Sequence, residues 1–284
     1  MIYLLLSILS STAIFILFKS FDKYNVNTLN AIVFNYLTAS ICGFLFSQKQ
    51  LSFDDIITSN WFPPAVALGA LFIMMFYLMA LTAQRNGLSV ASVASKMSVI
   101  IPILFGVIVF KESLGFLKIL GIVLALIAVY LTSSVSRESI RMKRAIMILP
   151  FLVFFGSGIV DTSINYFAPD DSIPLFSSTI FAIAAIIGLT LVVIKRVKEK
   201  RKIHPRAIPF GIALGAVNYG SIYFLLNALR VDGVETSSIF TINNVAIVAL
   251  STLCGLVFFK EIISTKNWLG ISFAIISIII VSLV

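Results

Sequence analysis

Ten apolar stretches, each long enough to cross a bilayer, leave this chain almost no alternative to a bundle of membrane helices. They run over residues 2–18, 29–46, 62–84, 88–110, 114–133, 145–167, 173–194, 207–229, 234–259 and 267–284. A helix needs roughly 17–25 apolar residues to span the hydrocarbon core, whereas barrel strands alternate over about 9–11. Turn and charge signals fill the gaps, as in "KSFDKYNVNT", "SQKQLSFDDIITSN", "SSVSRESIRMKR" and "KRVKEKRKIHPR". Composition agrees: 60% of the 284 residues are hydrophobic and 12% are charged, about half the charged share of a soluble domain. The expected fold class is an all-α integral membrane protein with ten transmembrane helices. The first run lacks the basic start and small-residue cleavage pattern of a signal peptide, so it reads as a helix of the mature chain.

A formal charge of +9 would suggest nucleic acid as the partner of a soluble protein. In a membrane protein it first encodes orientation, because Lys and Arg collect in cytoplasmic loops. Crossing the membrane ten times puts Lys49, Lys111, Lys118 and Arg230 on the side of the N-terminus. Lys96 lies within a span, and every other Lys and Arg falls on the opposite side, including the run Lys195–Arg206. The expectation is a multi-pass protein of the cell (inner) membrane with both termini outside. The partners expected are the lipid bilayer and a small-molecule substrate, with no nucleic acid.

The chain also repeats itself. "VFKESLGFLKILGIVLALIAVYL" (109–131) matches "FFKEIISTKNWLGISFAIISIII" (258–280), pairing Lys111 with Lys260 and Gly121 with Gly270. Upstream, "ALTAQRNGLSVASVASK" (80–96) parallels "ALRVDGVETSSIFTINN" (228–244). Five crossings per copy is an odd number, so the second copy enters the membrane inverted. The expected organisation is a first five-helix repeat at 1–136, a basic linker at 137–144 and a second five-helix repeat at 145–284. Inverted repeats are a signature of secondary transporters, which bind substrate near the midplane at the repeat interface.

Two five-helix halves, an AL…G…S…S pattern entering the fourth and ninth spans, and the FKE ends of those spans resemble the drug/metabolite transporter superfamily, most closely its EamA-like ten-helix branch. The resemblance covers essentially the whole chain. It implies an exporter or exchanger of a small metabolite such as an amino acid, nucleotide sugar or sugar phosphate. The chain departs from the usual pattern in carrying its basic loop after the seventh span rather than the second.

Lys96 is the residue an apolar span should not contain. A charge near the bilayer centre costs roughly 2.5–3.5 kcal/mol even on lenient scales, and such residues face a bundle interior or a wet cavity. Counting about 1.5 Å per residue, Lys96 lies about 12 Å from the basic side, Asn243 about 16 Å and Asn218 about 17 Å. Lys96, Asn218, Tyr219, Asn243 and Asn244 are therefore the candidate substrate-binding residues, with Lys96 opposite a carboxylate or phosphate. Basic residues of the central helices take that role in family members that carry anions. A purely structural lysine, held by Ser92, Ser95 or helix-end carbonyls, is the competing reading. Asp161 sits about 24 Å from the basic side and is the proton-coupling candidate or else a rim residue. Glu112 and Glu261 read as a structural helix-end motif, each capping the helix that follows it.

Other classes fit less well. Neither catalytic residues, a metal site nor a cofactor is expected, because Cys42 and Cys254 are isolated and His204 lies in a loop. The chain is accordingly read as no enzyme. The alternatives kept are a flippase for a lipid-linked substrate and a non-transporting membrane scaffold. Since both halves are fused, a monomer suffices.

Overall fold

The computed structural model describes residues 1–46, 53–110, 115–133, 140–167, 169, 173–199, 205–229 and 236–282. Every regular element among them is an α-helix: α1 (Ile2–Lys23), α2 (Thr28–Phe46), α3 (Phe53–Ile57), α4 (Phe62–Arg85), α5 (Leu88–Met97) and α6 (Ile100–Phe110), followed by α7 (Phe116–Ser133), α8 (Ile140–Phe167), α9 (Ile173–Glu199), α10 (Ala207–Leu229), α11 (Thr236–Phe259) and α12 (Thr265–Ser282). The protein is all-α and multi-pass. Among the described residues, eight stretches are long and apolar enough to cross a membrane, while the apolar parts of α7 and α12, 119–132 and 265–281, are shorter. Each of the ten apolar runs carries a helix, and the small α3 lies in a loop. The stretch read as a linker is partly helical, because Arg141, Lys143 and Arg144 form the first turns of α8.

The fourth apolar run is broken, and its own sequence gives the reason. The regular helical hydrogen bonding is interrupted at Ser98 and Val99, between α5 and α6, although Ser98 keeps helical dihedrals at φ -57° and ψ -19°. Pro102 has no N–H to offer the carbonyl four residues earlier, and its ring crowds that carbonyl. The carbonyl belongs to Ser98. It is satisfied instead by the tighter bond from Ile101 N–H at 2.9 Å. Pro102 then falls in the first turn of α6, where a missing donor is harmless. Pro150 is accommodated without a break inside α8.

The chain divides into two compact units, each drawn from both halves of the sequence. The first comprises 1–20, 78–159 and 220–284. Its core is Val93, Met97 and Ile100 with Ala125, Ala128 and Val129 of α7, Phe154 of α8, Val248 of α11, and Ile271, Ala274 and Ile278 of α12. Within it α7 and α12 pack antiparallel. A Cβ on Gly121 would collide with Val281, and one on Gly270 would come within 2.7 Å of the Thr132 methyl and 3.0 Å of the Ala128 carbonyl oxygen. The contacts are reciprocal. The spacing that separates Gly121 from Gly270 also separates Thr132 from Val281, as expected where two copies of one surface meet about a twofold axis. Ser277 Oγ adds a 2.7 Å hydrogen bond to the Gly121 carbonyl, the kind of close polar contact that small residues permit between membrane helices.

The second unit comprises 21–77 and 160–219, and it repeats the pattern with α2 and α9. A Cβ on Gly43 would strike Ser178, and one on Gly188 would lie 2.6 Å from Val33, so these helices are also antiparallel. Gly69 of α4 meets Ile183 and Ala184 of α9, much as Gly215 of α10 meets Asn35 and Thr38 of α2. Tyr36 is fully buried among Phe72, Phe76 and Phe181. Its hydroxyl donates to the Phe72 carbonyl at 2.7 Å, which spares it an unpaired polar group in an apolar core.

Candidate functional site

In the first unit, the break after α5 explains how Lys96 is tolerated. Lys96 occupies the last turn of α5 and is half-buried. A helix that stops leaves its final carbonyls without intrahelical partners and presents a partial negative charge. An ammonium in that last turn is stabilised by about 0.3–1 kcal/mol at an exposed helix end, and by more when partly buried. Of the two serines named in the competing structural reading, Ser92 forms bonds through its hydroxyl and Ser95 one through its main-chain carbonyl. Ser92 Oγ donates to the Ser89 carbonyl and accepts from Ser251 Oγ at 2.6 Å, and the Ser95 carbonyl accepts from Ser98 Oγ.

The Ser92–Ser251 bond also fixes register. Leu88 lies beside Gly255 and Ser92 beside Ser251, so α5 and α11 run antiparallel and Lys96 falls level with Ile247. Asn243 is one turn deeper, about 6 Å along the axis, level with the start of α6. It is buried, and its Oδ1 lies 3.2 Å from Ser7 Oγ of α1. Ser7 Oγ is also 3.2 Å from the Ser221 carbonyl of α10. One hydroxyl proton serves only one acceptor at a time, so this group can exchange partners. The unit thus gathers a cation, a broken helix and a buried amide–hydroxyl cluster. Asn244 beside them is half-buried.

Asn218 and Tyr219 belong to the second unit. Asn218 is buried, and its Nδ2 donates to Asn35 Oδ1 at 3.2 Å. Tyr219 is half-buried and stacks on Phe46, with ring centroids 5.8 Å apart. Asn35 Nδ2 is buried without a hydrogen-bond partner. Asn35 stands in the middle of the second apolar run, a signal comparable to Asn218 that sequence reasoning passed over. Ser7 was missed as well, because a lone serine in a membrane helix is unremarkable. Asp161 is exposed on α8.

One of the two helix-end glutamates requires a correction. Glu112 lies outside the described residues. Glu261 was expected to cap the helix that follows it, α12, but Ser264 does so: Ser264 Oγ accepts from Asn267 N–H at 3.2 Å and bonds the Asn267 side chain at 3.0 Å. Glu261 reaches α5 instead, accepting the Leu88 N–H on both carboxylate oxygens at 2.9 and 3.1 Å. Lys19 Nζ pairs with it at 3.2 Å. Helix α11 ends at Lys260 in the left-handed region, φ 51°, which turns the next residue back toward α5.

Comparison with known proteins agrees with this architecture. Residues 1–134 match the EamA-like transporter family. An uncharacterized protein of Haemophilus influenzae is 31% identical over 282 residues, spanning 96% of this chain and 94% of the relative. A solved crystal structure at 12% identity superimposes with a TM-score of 0.52 over 98% of this chain and 97% of its own, a likeness of fold alone. The members of the matched family are transporters, and the chain belongs to the EamA-like transporter family of the drug/metabolite transporter superfamily.

Proposed function

We propose that this protein is a secondary transporter, an exporter or exchanger, of a small anionic or zwitterionic metabolite such as an amino acid. It works by alternating access around Lys96. The observation that carries the reading is a half-buried ammonium at the end of a broken helix, with the Asn243–Ser7–Ser221 cluster one turn deeper. Discontinuous helices at the midplane offer free backbone ends to charged substrates and ions. Lys96 supplies the counter-charge, while Asn243 and Asn244 offer amides that read polar substituents.

The same proposal takes the ten helices as two inverted five-helix repeats, 1–136 and 145–284. The reciprocal glycine contacts of α7 with α12 and of α2 with α9 support it. Both termini lie outside the inner membrane in this arrangement, and a C-terminal reporter active only in the cytoplasm would contradict that orientation.

The test is thermal unfolding of the purified protein with amino acids, sugar phosphates, nucleotide sugars or organic cations, repeated for Lys96→Ala. A ligand at a hundred times its dissociation constant stabilises the native state by about 2.7 kcal/mol. An anionic or zwitterionic solute is expected to raise the melting temperature of the wild type but not of the variant, and to be taken up by proteoliposomes of the wild type only. Equal ligand responses in both proteins would remove Lys96 from the site. Movement of a fluorescent lipid between leaflets, with no solute carried, would favour a flippase.

A further inference from the structure

Helix α5 has no N-terminal cap of its own. Gly87 precedes it at φ 109° and offers no side chain. The cap is lent from 173 residues away by the Glu261 carboxylate. Gly255 makes room for it, since a Cβ there would stand 2.6 Å from Glu261 Oε2. Lys19 of α1 neutralises the carboxylate and also donates to the Gln84 carbonyl of α4 at 3.2 Å. Gln84 Nε2 returns a bond to the Phe18 carbonyl at 3.2 Å. The pair is largely shielded from solvent, with side-chain exposures of 19% for Lys19 and 11% for Glu261. The ends of α1, α4 and α11 and the start of α5 are therefore tied together inside the first unit.

A cap supplied by a helix's own N-cap residue holds whatever the rest of the molecule does. A borrowed cap holds only while lender and borrower lie side by side, so its formation reports one arrangement of the helices. We propose that Lys19, Glu261 and the Leu88 amide form a latch that closes this end of the first unit and must part during each transport cycle. This rests on the transporter reading above. The carboxylate at a helix N-terminus combines a charge-assisted bond with the favourable end of the helix dipole. The ion pair adds a tie to α1, which makes closure cooperative between helices that the chain does not otherwise connect.

The experiment reads the latch without any substrate. In a Cys42→Ser/Cys254→Ser background, Ser92→Cys places a thiol one turn inside the latch, at a fully buried position bonded to α11. Thr179→Cys serves as a buried control in the second unit. Protein in nanodiscs is labelled with a membrane-impermeant maleimide. Glu261→Ala is expected to speed labelling at position 92 by about tenfold or more, the factor that loss of a hydrogen bond to a charged group exerts on a two-state equilibrium. The rate at position 179 should not change. Glu261→Gln can still accept from Leu88 but cannot pair with Lys19, so it should give a smaller rise, matched by Lys19→Ala. No rise at position 92, or an equal rise at both positions, would overturn the latch, the second by showing simple loosening of the fold. Such a failure leaves the transport reading standing, and failure of every solute in the uptake assay leaves the labelling result standing.

Discussion

Gly121 and Gly270 are counterparts in sequence, yet enlarging them should not cost the same. Consider Gly→Ala at each. In both helices the change recovers the propensity penalty of glycine, about 0.8–1.0 kcal/mol in a soluble helix, so this gain cancels in the comparison. At Gly121 the new methyl meets the Val281 side chain, and its next neighbours lie at 3.6 Å, ordinary contact distance. Val281 stands in the last two residues of α12 and can give way. At Gly270 the methyl meets the Thr132 methyl at 2.7 Å together with two backbone atoms at 3.0 Å, the Ala128 carbonyl oxygen and the Thr132 nitrogen.

Carbon contacts are optimal near 3.5–4.0 Å, so α7 and α12 must separate by about 0.5–1 Å to admit a methyl group at Gly270. Overpacking of this kind costs about 1–3 kcal/mol. Separation also lengthens the Ser277–Gly121 hydrogen bond, with a further loss of about 0.5–1.5 kcal/mol. Gly270→Ala is therefore expected to be less stable than Gly121→Ala by about 1–3 kcal/mol. Thermal or denaturant unfolding of the two variants in one detergent measures the difference. Equal stability, or greater loss at Gly121, would refute the claim that backbone approach at this crossing decides the cost.

Two further outcomes are expected from the transport machinery. Pro102→Ala supplies an N–H that can bond the Ser98 carbonyl, so that α5 and α6 can join as one continuous helix, an arrangement the proline disfavours by roughly 3 kcal/mol. The variant should melt higher but carry substrate more slowly, and a lower melting temperature would show that the break has another cause. If Asp161 carries a coupling proton, Asp161→Asn should abolish the pH dependence of proteoliposome uptake while leaving ligand-induced stabilisation intact. Unchanged pH dependence would leave Asp161 as a rim residue.

Hydropathy is a local property, so the residues alone disclosed where each helix lies and that Lys96 sits where a charge is costly. Repetition is also local, and Gly121 and Gly270 could be paired by eye long before their contacts with α12 and α7 were visible. Pro102 likewise announced a disturbance in the fourth run, although not that the helical hydrogen bonding would be interrupted at Ser98 and Val99. The remainder depended on which helix ends meet. Glu261 could be recognised as a helix-end carboxylate, but only packing decided that it caps α5 rather than α12, where Ser264 is nearer in sequence. The partners of Asn243, the hydroxyl of Ser7 and through it the Ser221 carbonyl, are separated from it by 236 residues in one case and 22 in the other. No periodicity encodes such bonds. Helix formation is settled within a few turns by backbone hydrogen bonding and the avoidance of water, whereas caps and polar clusters in a membrane are settled by whichever neighbouring groups the assembled bundle presents.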